Sequence, residues 1–220
     1  MKGRLNMKIG IIGATGNTGS SLVKEALGRN HQVTALVRNA DKAKSLFADT
    51  VTIIAKDAFA FNKQDFAGLD VLIDAISFPT QKHLAYDQLD LAAQLIHMFR
   101  ETDSPRLVFI LGAGSLRTDG GLEIDQLRKT PGAAAWIDTP EAQHQELNFL
   151  RTVSNVNWLG VSPFANYTVG PKTAYVRGSD DLLFDDNHKS EVSTGTFAAA
   201  ILDELEQPSI HQARFTVRNK

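Results

Sequence analysis

The chain contains no cysteine among its 220 residues. That excludes disulfides, thiolate nucleophiles, cysteine-ligated metals and iron–sulfur clusters, and it accords with a reducing, cytoplasmic setting. An excess of one charge is also missing. Twenty-three Lys and Arg stand against 25 Asp and Glu, a net charge of −2, with no basic run, no aromatic RNA-binding motif and no zinc-finger spacing. Nucleic acid is therefore not expected as a partner. No apolar run approaches the ~18 residues that would argue for a membrane span, so no membrane association is expected either. The six histidines fall into neither H-x-x-x-H nor H-x-x-E-H. Asp180, Asp181, Asp185 and Asp186 lack the spacing and glycine of an EF-hand, so they read as a solvated loop and no metal site is expected. The basic opening Met1–Asn6 precedes an apolar run, from Met7 to Ile12, that is too short for a signal peptide and is broken by glycine. We read residues 1–6 as a leader outside the fold.

What remains is 43% hydrophobic and 22% charged, enough for one sizeable core in a single domain over residues 7–220. Short β-branched runs recur at Lys8–Ile12, Gln32–Val37, Val51–Ile54, Val71–Ala75, Leu107–Leu111, Asn157–Val161 and Ala213–Val217. The first five lack in/out alternation, as strands of a sheet covered on both faces do. Helical patterns lie between them at Thr18–Arg29, Asp41–Phe47, His83–Arg100, Thr139–Thr152 and Thr194–Glu206. The alternation predicts an α/β fold, a Rossmann-type doubly wound parallel sheet with a small C-terminal substrate lobe. Two stretches, residues 112–131 and 163–189, fit the alternation poorly and follow strand ends, so they are expected to wall the substrate side.

The sharpest motif is Gly13-Ala14-Thr15-Gly16-Asn17-Thr18-Gly19, entered from a hydrophobic strand and left into a helix. Gly13 permits a tight turn, Gly16 admits a pyrophosphate close to the backbone, and Gly19 lets helix and sheet pack closely. The helix N-terminus offers free N–H groups to phosphate, with Thr15, Asn17 and Thr18 as added donors. No Gly-Lys-Ser/Thr follows, which excludes a P-loop. The pattern predicts a dinucleotide site. The second strand ends at Arg38, where NAD-selective sites usually carry an acid for the ribose 2′-OH. An arginine suits a 2′-phosphate, so NADP(H) is preferred with NAD(H) as the alternative. Asp57 is placed to accept from the adenine amino group, or is ordinary loop. Ala75, Ile76 and Ser77 end the fourth strand beside the expected riboses, or are likewise ordinary loop, and Gly112 ends the fifth.

The GATGNTG turn and the VTALVRN strand within Lys8–Asn39 resemble the atypical short-chain dehydrogenase/reductases with NmrA-like and biliverdin-IXβ-reductase-like members. Val156–Pro163, Tyr175–Gly178, Asp181–Asp185, Phe197–Glu206 and Ala213–Val217 look like the bacterial NADH-flavin reductase group. The resemblance runs from Met7 to nearly the end. It implies a Rossmann domain with a small C-terminal lobe, NAD(P)H binding, and hydride transfer to a flavin-like, quinone-like or tetrapyrrole acceptor, the flavin being a substrate rather than a bound group.

One departure bears on chemistry. The Tyr-x-x-x-Lys pair of most short-chain dehydrogenases is absent, since Tyr86, Tyr167 and Tyr175 are followed four places on by Asp90, Pro171 and Ser179. Aligning Glu146 with the family's usual glutamate puts Asp138 and Ala142 where Tyr and Lys would be. Alcohol–ketone chemistry by that relay is not expected. Reduction of a planar conjugated ring asks mainly that donor and acceptor be held in register away from water. Ser115, after the fifth strand in the family's usual serine region, is the candidate to bond a substrate carbonyl, or is a self-satisfied loop serine. Ser162, Pro163 and Phe164 form the expected substrate wall, and one of Phe164, Tyr167 and Trp136 is expected to stack on the acceptor. His144 reads as a helix-surface residue. The alternative reading is a non-catalytic NADP(H)-binding redox sensor of NmrA-like type. A sugar-nucleotide epimerase is disfavoured, because such enzymes normally keep the Tyr/Lys pair. The chain is expected to be a monomer or homodimer with a small-molecule planar acceptor as its partner.

Overall fold

The computed structural model describes residues 6–78 and 82–220; the expected leader, apart from Asn6, lies outside the described residues. In chain order the elements are β1 (Lys8–Ile12), α1 (Asn17–Gly28), β2 (Gln32–Val37), α2 (Ala40–Phe47), β3 (Thr52–Ala55), β4 (Val71–Asp74), α3 (Lys82–Ala85), α4 (Asp87–Phe99), β5 (Thr102–Ile110), β6 (Arg117–Thr118), β7 (Gly121–Leu122), α5 (Glu123–Leu127), α6 (Asp138–Leu150), β8 (Val156–Pro163), β9 (Asn166–Thr168), β10 (Tyr175–Gly178), β11 (Glu191–Ser193), α7 (Thr194–Glu206) and β12 (Ala213–Asn219).

Eight strands form one sheet in the order β10-β12-β8-β5-β4-β1-β2-β3. Every neighbouring pair is parallel except β10 on β12. The chain winds outward from β1 in both directions, so strand order reverses between β1 and β4. That switch point leaves a crevice at the strand C-termini, with the glycine turn at its edge.

Alternation along β1 shows how the sheet is held. Ile9 and Ile11 join one cluster with Leu22, Val23 and Ala26 of α1 and Phe197, Ile201 and Leu202 of α7. Ile12 points the other way, into a cluster with Leu91, Leu95 and Phe99 of α4 and Leu147 and Leu150 of α6. Both faces are therefore apolar, as the run of β-branched residues requires. Each fully buried Leu, Ile or Phe contributes about 1.5–3 kcal/mol.

The expected helix from His83 to Arg100 is two helices, α3 and α4, separated at Tyr86. The fifth strand begins five residues earlier than expected, at Thr102. The larger correction concerns residues 163–189. Only their start stays at the crevice. Asn166–Thr168 pairs with Glu191–Ser193 in a small parallel ribbon, and Tyr175–Gly178 forms the antiparallel edge of the main sheet. Its role there is to cap β12, not to wall a substrate.

Candidate dinucleotide and acceptor cleft

Gly13 has φ +77°, a left-handed conformation that glycine adopts without a Cβ penalty. Its N–H donates to the Leu36 carbonyl at 3.0 Å, and the Gly16 N–H donates back to the Gly13 carbonyl at 2.9 Å. A Cβ on Gly19 would lie 2.2 Å from the Gly13 carbonyl oxygen and 2.8 Å from the Ala14 Cα, so only glycine allows α1 to start this close to the turn. Gly16 caps α1 in extended conformation with no side-chain cap, and the first turn carries no acid. The positive end of the helix is left unneutralised, with backbone donors facing outward. Thr15 is half-buried and Asn17 exposed along that rim. This cradle fits a dinucleotide diphosphate by its own geometry: donors without side chains in front of them.

From the cradle a cleft of about 520 Å³ runs across the switch point, within the usual range for small-molecule sites. Thr18 of α1, Ala75, Ile76 and Ser77 after β4, Gly112 after β5, and Pro163 and Phe164 at and beyond the end of β8 all line it. Seven residues expected from sequence thus meet at one place. The far wall is built from Glu123, Leu127, Trp136, Pro140 and Gln143. From the first irregular stretch, residues 112–114, 123 and 127 line this cleft. Trp136, Phe164 and Tyr167 all line the cleft, yet Phe164 is only 1% exposed and serves mainly as core, leaving half-buried Trp136 as the ring available to a flat ligand. Tyr167 shares a 2.8 Å hydrogen bond with the Thr18 hydroxyl, and burial pushes its phenol up to about 12.

Ser115 and Ser162 are corrections. Neither lines the cleft. Both are buried, and both hydroxyls accept from the same guanidinium nitrogen of Arg214, at 3.1 and 3.0 Å. Arg214 is itself buried, and its charge is answered by Asp180 through Nε at 3.0 Å and a second bond from Nη2. The two serines satisfy a buried cation that arrives from β12 and do not line the cleft.

Arg38 lies exposed where β2 ends and forms no ion pair among the described residues, so its guanidinium is free for a phosphate. Asp57 is also exposed, and one carboxylate oxygen already accepts the Phe59 N–H at 3.0 Å. His144 lies away from the cleft and contacts Asn148 at 3.2 Å, with burial lowering its pKa.

Two features escaped the sequence reading. The first is a buried acid pair behind the Ala75–Ser77 wall. One oxygen of Asp74 accepts the Ile76 N–H at 3.1 Å, and one oxygen of Glu146 accepts the Gln88 amide at 3.0 Å. The other oxygen of each carboxyl, and the Gln88 carbonyl, are buried without a partner. Burial raises Asp74 to about 7, and burial with the nearby Asp74 charge raises Glu146 well above the ordinary carboxylate range. Three acceptors facing no donor call for a proton among them. The second feature is Glu123, an acid on the cleft wall whose pKa burial raises. Its helix, α5, spans only five residues, too short for a periodic signal.

Comparison with known proteins agrees with this geometry. Residues 13–208 match the NAD(P)H-binding family model. The Bacillus subtilis protein YwnB is 35% identical over 215 residues, covering 96% of this chain and 98% of its own. A Lactobacillus casei crystal structure superposes with a TM-score of 0.91 at 37% identity, covering 97% of this chain and 99% of its own. A Streptococcus pneumoniae crystal structure, described as a putative NADH-flavin reductase, superposes with a TM-score of 0.87 at 29% identity, covering 98% of this chain and 100% of its own. The chain belongs to the NAD(P)H-binding family.

Proposed function

We propose that the protein is an NADPH-dependent reductase that delivers hydride to a planar conjugated acceptor of flavin or quinone type. The observation that carries this reading is the cleft itself. It opens beside the glycine cradle, is walled mainly by apolar groups, and is lined by Trp136 together with a few polar side chains. Such a slot suits a flat ring held against a second flat ring. The bound dinucleotide would supply the hydride. The chain would grip the diphosphate at Gly13–Gly19, take the 2′-phosphate at Arg38, back the nicotinamide side with Ala75–Ser77, and exclude water with Leu127, Trp136 and Pro140. The missing Tyr-x-x-x-Lys relay supports a conjugated acceptor over a simple ketone. The name of the Streptococcus pneumoniae neighbour points the same way.

The test is NADPH oxidation, followed at 340 nm, with FMN, riboflavin and a quinone offered in turn. Turnover well above the uncatalysed background is expected. Saturable NADPH binding with no turnover on the panel would instead identify a redox sensor.

A further inference from the structure

We propose that Glu123 is the acid that supplies the proton completing reduction of an acceptor in the cleft, and that the acceptor is of quinone type, one whose hydride adduct is an oxyanion. This rests on the reductase reading above and adds to it a residue and a substrate chemistry.

Among the residues lining the cleft, two side chains ionise in water, Glu123 and Tyr167. Tyr167 is committed: its hydroxyl is bonded to Thr18 at 2.8 Å, and burial makes it a weaker acid than a free phenol. Glu123 is uncommitted. Its backbone is fixed by the N–H bond to the Leu116 carbonyl at 2.9 Å, which anchors the start of α5, while its carboxyl has no hydrogen bond or ion pair among the described residues. Arg128, just past the end of its helix, is spent on Asp125 at 2.7 Å and Glu141 at 2.6 Å and forms no ion pair with Glu123. Half-burial beside Leu127 and Trp136 favours the protonated acid, the state that a proton donor needs before turnover. The other acids with raised pKa, Asp74 and Glu146, are sealed behind the cleft wall and cannot reach a ligand.

The balance of the step is simple. A quinone takes a hydride, one proton with two electrons, onto one carbonyl oxygen, which forms the first O–H of the hydroquinone. The opposite carbonyl oxygen becomes an oxyanion. The Glu123 O–H bond breaks, its proton forms the second O–H, and the carboxylate is re-protonated from water. The dinucleotide is oxidised and the quinone reduced. An acceptor that is itself a cation, such as N-methylphenazinium, takes the hydride alone and becomes neutral, so it needs no acid.

That difference supplies the test. Wild type and Glu123→Gln would be assayed with NADPH against menadione and against N-methylphenazinium, with menadione binding to the protein without dinucleotide read separately by quenching of tryptophan fluorescence. We expect E123Q to lower kcat for menadione by at least about 100-fold, to leave N-methylphenazinium within twofold, to abolish the solvent deuterium isotope effect on menadione turnover, and to leave menadione affinity within about threefold. Asp125→Asn, a neighbour outside the cleft, should change none of these. Equal losses on both acceptors, no loss on either, or menadione binding lost together with turnover would overturn the proposal while the reductase reading stands. A wild type inert toward every acceptor would overturn both.

Discussion

The hydroxyls of Tyr167 and Thr18 meet at 2.8 Å across 149 residues of chain. Thr18 lies in the first turn of α1, which follows the glycine turn, and Tyr167 lies on the ribbon beyond β8, so this one bond ties the two sides of the cleft together. The Tyr167 ring is held independently by its edge contact with Phe197, centroids 5.3 Å apart. Tyr167→Phe therefore removes the bond and little else. The loss of a part-buried hydrogen bond predicts about 0.5–1.5 kcal/mol lower stability in urea unfolding and a several-fold weaker NADPH affinity by titration. Full loss of folding would mean that the ring, not the bond, joins the two parts.

The Asp74–Glu146 pair predicts a pH dependence with a definite sign. Asp74 titrates at about 7 in the folded protein because burial penalises its charge, whereas an aspartate in the unfolded chain titrates near ~3.9. Below about pH 4 both states hold the proton and there is no penalty. Between about 4 and 7 the unfolded chain gives up its proton while the fold keeps it, so stability falls as pH rises. Above about 7 the full cost is present, with a ceiling near ~4 kcal/mol at about 1.4 kcal/mol per pH unit. Asp74→Asn keeps an oxygen for the Ile76 N–H and removes the charge. It should unfold at a higher temperature than wild type at pH 8 and gain little or nothing at pH 4. A pH-independent difference between the two proteins would refute the assignment.

What could be read from sequence follows how local each interaction is. β1, the glycine turn and β2 are set by adjacent residues, and all match the expected positions. The edge strand β10 was missed because Val176 finds its partner, Arg218, 42 residues further on, and its half-exposed residues carry no alternation. Ser115 was misread for the same kind of reason. Its place after β5 is a local fact, but the guanidinium that claims its hydroxyl comes from residue 214. Asp74 looked like the end of a buried strand, and nothing nearby in the chain announces that α6 brings a second carboxyl toward it. Glu123 lay inside a glycine- and charge-rich stretch whose only sequence signal was irregularity.

Arg38 tests the choice of cofactor. Its guanidinium is exposed and forms no ion pair among the described residues, so Arg38→Asp perturbs no described interaction within the fold and replaces an attraction for a 2′-phosphate with a repulsion. A charge-assisted hydrogen bond of about 1.5–3 kcal/mol corresponds to about 10- to 100-fold in affinity. We expect NADPH binding to weaken by at least that factor, NADH binding to change by less than about threefold, and the melting temperature to hold. Equal losses for the two nucleotides would remove Arg38 from the 2′-phosphate site.

Gly19 tests the cradle. A methyl group at this position would sit 2.2 Å from the Gly13 carbonyl oxygen and 2.9 Å from its carbon. These are backbone atoms, and they cannot swing aside as a side chain would. Gly13 is pinned in turn by its own N–H bond to Leu36 at 3.0 Å and by the positive φ of its turn. Relief must therefore come from α1 moving off the sheet, which also breaks its packing through Leu22 and Val23 against Ile9 and Ile11. In a solvent-exposed helix interior, Gly→Ala would stabilise by up to about 1 kcal/mol. Here Gly19→Ala should instead destabilise by at least about 2 kcal/mol and weaken NADH and NADPH alike, because both lean on the same diphosphate cradle. The measurement is paired: urea unfolding for the first effect and nucleotide titration under folding conditions for the second. Wild-type affinity for both nucleotides in a folded Gly19→Ala protein would mean that the diphosphate does not rest on this turn.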